Sequence, residues 1–310
     1  MKRVGVIDVG TNSVKLLVAD VDGSNVVPVS EESEQTRLGR GFYQTHMLQS
    51  SAIQQTAEAI AFFSGKATSQ GAISVRVIAT SAARDAKNAD ELLRAIQAAS
   101  GLSVEVISGE QEADWAFRGV TSNPEFTQHP LLILDVGGGS TEFIIGEHGH
   151  QQFRDSFNLG TVRLLEQLPH SDPPKREELE ECRAWVSAFL REKVVPKVKP
   201  ALESCCDDRV QLVGTGGTST ILARIDRQTD SYDRDLIEST HLSHDRIRSL
   251  TEHLWSVPLA ARQSIQGLPQ KRADVILTGT IIYEAVMEQF GFQELRVSTR
   301  GLRFAAAMED

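Results

Sequence analysis

The chain has 310 residues, 40% of them hydrophobic and 24% charged, enough apolar material for an ordered core and a length that suggests two domains. Acidic residues outnumber basic ones by 42 to 32, for a formal net charge of −10. That balance argues against broad binding to nucleic acid or to an anionic membrane, and it leaves room for a local anion site.

The start, Met1-Lys2-Arg3-Val4-Gly5-Val6-Ile7, is basic and then apolar, but Asp8 stops it far short of a signal-peptide core or a membrane span, so a cytoplasmic location is expected. Val4–Ile7, Val14–Asp20 and Val26–Ser30 read as strands, and Gln49–Gly65 carries Ile53, Ile60 and Phe63 at near-helical spacing. Strand Ser74–Ile78, helix Asn88–Ala99, strand Val104–Ile107 and helix Gly109–Val120 follow, an alternation that signals an α/β domain. The breaker-rich run Thr121-Ser122-Asn123-Pro124 sets a domain boundary near Asn123.

Beyond it, Leu131–Asp135, Glu142–Gly146 and Gln151–Ser156 read as three strands in quick succession, with a helix near Val162–Gln167, so the order of the first half is repeated. A helical stretch from Lys175 to about Val195 is expected to end at Pro196. Strand Arg209–Val213 then leads through a glycine turn into a helix from Ser219, and helix dominates the remainder, most clearly at Ala273–Gln289. Three cysteines, Cys182 alone and Cys205 beside Cys206, give neither a disulfide framework nor metal-ligand spacing.

The central observation is an internal repeat. Ile7-Asp8-Val9-Gly10-Thr11-Asn12-Ser13 lies over Leu134-Asp135-Val136-Gly137-Gly138-Gly139-Ser140 without a gap, each between two strands. Such an Asp-x-Gly turn exposes backbone NH groups, because glycine allows close approach and positive φ, and it can hold a phosphate. One copy would be an ordinary β-hairpin. Two in register imply phosphate loops facing each other across an interdomain cleft, with Asp8 and Asp135 flanking a metal ion that offsets their charge. A third turn, Gly214-Thr215-Gly216-Gly217-Thr218, presents amides that suit an anion or the ribose and phosphate end of a nucleotide; a plain strand-to-helix connection is the alternative.

Two phosphate hairpins and a third turn resemble the superfamily of actin, heat-shock 70 proteins and sugar kinases. Finer motifs narrow the resemblance to the exopolyphosphatase and guanosine pentaphosphate phosphohydrolase family. They are the two hairpins themselves, Ala79-Thr80-Ser81-Ala82-Ala83-Arg84, Ile107-Ser108-Gly109-Glu110-Gln111-Glu112-Ala113, the turn at Gly214–Thr218, Arg272-Ala273-Asp274 and Val297-Ser298-Thr299-Arg300-Gly301-Leu302-Arg303. The resemblance implies an α/β fold of two duplicated actin-like, ribonuclease H-like domains around an interdomain cleft. Their spans would be 1–123 with a C-terminal helix 300–310, and 124–299, the short form of the family.

The same resemblance implies a hydrolase with Glu112 as catalytic base. On its position alone Glu112 would instead serve the helix dipole or a capping box with Ser108 or Gly109. Gln111 departs from the family's frequent acid at that position, and Glu110 is near enough to confuse a mutational test. Arg84 follows a small-residue loop that lets its guanidinium bind phosphate, with an ion pair to Asp85 or Asp90 as the alternative. Asp8 and Asp135, with Glu142, are the expected ligands of magnesium or manganese. Gly10, Thr11, Asn12 and Ser13 on one side, Gly137, Gly138, Gly139, Ser140 and Thr141 on the other, and Gly216 with Gly217 are the expected phosphate contacts. Lys15, Arg163 and the run Lys193, Lys197, Lys199 stay open between anion contacts and solvated surface.

The expected reaction is hydrolysis of the terminal phosphoanhydride of inorganic polyphosphate, releasing orthophosphate. Removal of the 5′-terminal phosphate of guanosine pentaphosphate is the alternative, and a sugar kinase-like ATPase or a non-catalytic alarmone-binding protein ranks behind both. Expected partners are therefore small anions, polyphosphate or guanosine penta- and tetraphosphate, with a homodimer by family habit and no nucleic acid or membrane.

Overall fold

Strand β1 (Lys2–Val9) is buried on both faces from Val4 onward, as a strand inside a sheet covered on two sides must be. It pairs antiparallel with β2 (Val14–Asp22), which pairs antiparallel with β3 (Asn25–Glu34). On the other side β4 (Ser74–Ala79) and β5 (Val104–Val106) run parallel to it, giving the order β3-β2-β1-β4-β5. Alternation along β1 and β2 divides the core between the two faces. Ile7, Val9, Leu16 and Val18 pack with Ile53, Ile60, Phe63, Leu92 and Ile96. Val4, Val6, Leu17 and Ala19 pack with Trp115 and Phe304.

The computed structural model describes residues 1–205 and 210–309, and the chain divides into two units, Met1–Ser122 with Arg300–Asp310, and Asn123–Thr299. In the first unit α1 (Phe42–Thr45), α2 (Ser50–Ser69), α3 (Ser81–Asp85), α4 (Ala89–Ser100) and α5 (Gly109–Thr121) accompany the sheet, and the C-terminal helix Leu302–Met308 belongs to it as well.

The second unit holds β6 (Leu131–Val136), β7 (Thr141–Glu147), β8 (His150–Phe157), β9 (Gln211–Thr215), β10 (His241–Ser243) and β11 (Glu294–Val297) in the order β10-β11-β9-β6-β7-β8. Read from β8 to β11, this repeats β3-β2-β1-β4-β5 strand for strand, with two antiparallel pairings followed by two parallel ones. Strand β10 is an added edge. The sequence repeat is thus a repeat of topology.

Helices α6 (Thr161–Gln167), α7 (Arg176–Phe189), α8 (Val195–Glu203), α9 (Gly216–Asp226), α10 (Arg234–Glu238), α11 (His244–Ser256), α12 (Leu259–Arg262) and α13 (Ile276–Phe290) complete the second unit.

Two expectations are corrected. Pro196 does not end its helix. The chain winds as a π turn over Leu190–Val194, where the Val195 amide reaches Leu190 O five residues back, and this looser winding accommodates the proline ring. The segment Gly214–Thr218 is not a five-residue turn: Gly214 and Thr215 are paired in β9, and α9 starts at Gly216, ahead of Ser219. Helix dominates the region after α9 as expected; the two short strands within it, three-residue β10 and four-residue β11, went unseen in the sequence because they are too short to show a period of two. Cys206, Arg209 at the start of the expected strand, and Asp310 at the end of the expected last helix lie outside the described residues.

Candidate active site

In a parallel sheet, functional groups collect at the carboxyl ends of the strands. In the first unit β1 delivers Asp8 to that edge. Thr80 donates to Val9 O (3.2 Å) directly after β4, and α3 then carries Arg84. Ile107 donates to Ala79 O (3.0 Å) after β5, and Ser108 caps α5, which carries Glu112.

Glu112 and Arg84, 28 residues apart in sequence, are in contact. Arg84 Nη1 donates to Glu112 Oε2 (3.3 Å) and to Ile107 O (3.1 Å), and Arg84 Nε lies 3.6 Å from Asp85 Oδ1. Of the two ion-pair partners considered from sequence for Arg84, Asp85 is present as a longer contact, and Glu112 was missed. The capping box expected for Glu112 does not form with it: Ser108 Oγ accepts from the Gln111 amide (3.1 Å), which puts Glu112 one position further along, buried at 7% exposure. Glu110, in contrast, is exposed.

Each hairpin turn closes in the same way. Gly10 N donates to Ser13 O (3.0 Å) and Gly137 N to Ser140 O (2.9 Å). Neither Gly10 nor Gly137 has positive φ, so the conformational reason for glycine given above is corrected. The reason is space: a Cβ on Gly137 would lie 3.0 Å from Ser140 O, and one on Gly10 would lie 3.2 Å from Ser13 O.

The turns' carbonyls are held from behind. Thr11 O accepts from Gly39 N (2.7 Å) and Asn12 O from Arg37 N (3.1 Å). Gly137 O accepts from Thr161 N (2.9 Å), and Gly138 O from Val162 N and Arg163 N (2.9 and 3.1 Å). Within a trans peptide the C=O and the following N–H point in opposite directions. The amides of Asn12, Ser13, Gly138 and Gly139 are thereby turned away from the pinning segments, and none of them finds an acceptor among the described residues. Outward amides of this kind are anion donors. Thr141 differs from its neighbours: its hydroxyl is buried and donates to Leu159 O, so its side chain is already committed to the hairpin.

The carboxylates differ between units. Asp8 is buried at 5% exposure, its Oδ1 has no hydrogen-bond partner, and the Asn12 amide nitrogen is likewise unpartnered. Burial pushes the Asp8 carboxyl above the ordinary range, against the opposing pull of Lys15 and Arg303. Lys15 is the register partner of Asp8 across β1 and β2. In the second unit the same register position opposite Asp135 is Glu142, buried at 1% exposure, with Oε1 accepting from Ser156 Oγ (2.7 Å).

Gly216, at φ +85°, passes so close that a Cβ would lie 2.3 Å from Asp135 Oδ1, so both its conformation and its space require glycine. The second unit therefore brings together Asp135, Glu142 and the start of α9. An orphaned buried carboxylate oxygen in one unit and two adjacent carboxylates in the other are donor sets that fit a hard divalent cation. Among the described residues, no group of three or more His, Cys, Asp and Glu side chains is placed to hold a metal together.

The residues left open from sequence also find places. Lys197 pairs with Asp155 (2.6 Å) and Lys199 with Glu203 (3.8 Å), both as surface ion pairs. Sequence reasoning missed Ser156, Gly39 and Arg37, whose contacts are tertiary. Among the described residues no helix is long and apolar enough to cross a membrane.

Residues 17–306 match the model of the Ppx/GppA phosphatase family. The chain belongs to that family. It is 33% identical to exopolyphosphatase 2 of Mycobacterium tuberculosis over 96% of this chain and 95% of that one. The solved structure of an exopolyphosphatase from Cytophaga hutchinsonii superposes with a TM-score of 0.87 at 27% identity, covering 99% of this chain and 98% of that chain. The Ppx/GppA family member of Aquifex aeolicus does so at 0.79 and 29%, covering 99% and 97%. The fold is that of the family, a duplicated actin-like α/β architecture.

Proposed function

We propose that this Ppx/GppA protein is an exopolyphosphatase that hydrolyses the terminal phosphoanhydride of inorganic polyphosphate. The observation that carries the reading is the Glu112–Arg84 pair at the carboxyl edge of the first sheet, a buried carboxylate touching a guanidinium, in the unit whose Asp8 keeps an unpartnered carboxylate oxygen. Relatives named exopolyphosphatase, matched over nearly the whole of this chain, favour polyphosphate as substrate.

Glu112 orients a water molecule and accepts its proton as the water oxygen attacks the terminal phosphorus. The bond from that phosphorus to the bridging oxygen breaks, and orthophosphate leaves a chain one unit shorter. Arg84 neutralises charge on the transferring phosphoryl group, and the outward amides of the two turns, with Gly216 and Gly217, bind phosphate oxygens. Asp8 in the first unit, and Asp135 with Glu142 in the second, are the proposed ligands of magnesium, or of manganese in its place, and a bound divalent ion would neutralise phosphate charge.

Guanosine pentaphosphate presents the same terminal bond, so the test compares substrates. Orthophosphate release from polyphosphates of several lengths, guanosine pentaphosphate and ATP is measured with magnesium present. The reading expects the highest kcat/KM on polyphosphate. A higher value on guanosine pentaphosphate would reassign the substrate, and activity on ATP alone would remove the exopolyphosphatase reading.

A further inference from the structure

Arg163 has no part in the reaction as described, yet its side chain is tied to the phosphate turn. Arg163 Nε donates to Gly139 O at 2.8 Å, and Arg163 Nη2 donates to Asn158 Oδ1 at 3.2 Å. Its own amide and those of Thr161 and Val162 hold Gly137 O and Gly138 O. Three successive carbonyls of the turn are thus held by one short segment, the first two by backbone amides and the third by a side chain.

By the same peptide geometry, holding Gly139 O sets the direction of the Ser140 amide, just as the other two bonds set those of Gly138 and Gly139. Ser140 N likewise has no acceptor among the described residues. The turn also lies flat on Gly160, where a Cβ would come within 2.5 Å of Gly138 C, Gly138 O and Gly139 C. No backbone donor can replace the Arg163 side chain at Gly139 O without moving this packed segment.

We infer that Arg163 is a positioning residue: it acts on substrate through the turn, fixing the Ser140 amide toward the phosphate, and it does not bind the anion itself. This rests on the phosphatase reading for its effect on substrate, but not for its effect on the turn.

The donor to Gly139 O is Nε, and that yields a sharp test. In glutamine the side-chain nitrogen stands at the same number of bonds from the backbone as arginine Nε, so Arg163→Gln keeps a neutral donor where it is needed. Arg163→Lys keeps the charge and places a methylene at that point. Positioning predicts that Arg163→Gln stays near wild type, while Arg163→Ala raises KM for polyphosphate, and the inhibition constant for inorganic phosphate, by about tenfold, as loss of a charge-assisted hydrogen bond would. Arg163→Lys should lie closer to the alanine variant. Tm should move by less than about 3 °C in all three. A direct anion contact predicts the reverse order, with lysine rescuing and glutamine failing, and that order would overturn the inference.

Hydrogen exchange without substrate separates this inference from the functional one. Thr161 and Val162 amides should exchange faster in Arg163→Ala and at the wild-type rate in Arg163→Gln. Unchanged exchange in Arg163→Ala would overturn the positioning role whatever the substrate. The expected exchange pattern in a protein that hydrolyses no phosphoanhydride would support the positioning role and remove the proposed function.

Discussion

The hairpin of the first unit faces Asp8 with Lys15, whereas the same register position in the second unit faces Asp135 with Glu142. Both turns close through the same backbone bond and both have their carbonyls pinned from behind. What differs is charge. The lysine opposite the first aspartate opposes the upward push that burial gives the Asp8 carboxyl. In the second unit the group opposite Asp135 is a second carboxylate, a donor pair that suits a hard divalent cation. The duplicated turn keeps its backbone and changes the charge opposite its aspartate, so under the proposed function the second hairpin is the one expected to depend more on metal.

Removing metal should produce the largest effect. Phosphate release is expected to fall to background in a chelator and to return with magnesium, as rate measurements at graded free metal would show. Asp135→Asn and Glu142→Gln should each raise the magnesium concentration for half-maximal rate by about tenfold or more, equivalent to one strong ligand contact. Lys15→Gln should instead raise KM for polyphosphate and leave the metal requirement near wild type. A metal requirement that moves equally in all three would erase the distinction between the hairpins.

A smaller effect concerns stability. Burial raises the folded Asp8 carboxyl above its ordinary value of 3.8, so the folded protein holds that proton to higher pH than the unfolded chain does. Its stabilising contribution is full below pH 3.8 and is lost as pH rises through the folded value. Ionising this buried carboxyl in the metal-free fold is therefore a cost. Asp8→Asn should raise Tm of the metal-free protein near neutrality by about 2 °C, the response to roughly 1 kcal/mol in a chain of this size, while lowering activity. A thermal scan showing lower stability for Asp8→Asn would mean that the charge is satisfied in the fold.

These contrasts were legible in the sequence to different depths. The turns could be found because Asp8 and Asp135 fall at the same point of two strand-turn-strand runs, and Lys15 and Glu142 each lie seven residues on. Glu112 was reachable through its motif, but its contact with Arg84 is tertiary and leaves no local pattern. The same holds for the pinning of Thr11 by Gly39 and for Ser156 on Glu142. Strand β11 carries Leu295 and Val297 inward, but four residues cannot establish a period of two. Pro196 misled because a helix stop is the commoner result of proline, and only the π turn before it shows how this helix continues.

The central claim is that Glu112 serves as the base in phosphoanhydride hydrolysis, and Glu112→Gln compared with Glu110→Gln tests it most directly. With magnesium and polyphosphate, kcat of Glu112→Gln is expected to fall by roughly 10²-fold or more, as loss of a general base requires, with KM and Tm close to wild type. Glu110 is exposed in the first turn of α5, and Glu110→Gln should leave kcat nearly unchanged. A near-normal kcat in Glu112→Gln, or a larger loss in Glu110→Gln, would contradict the assignment.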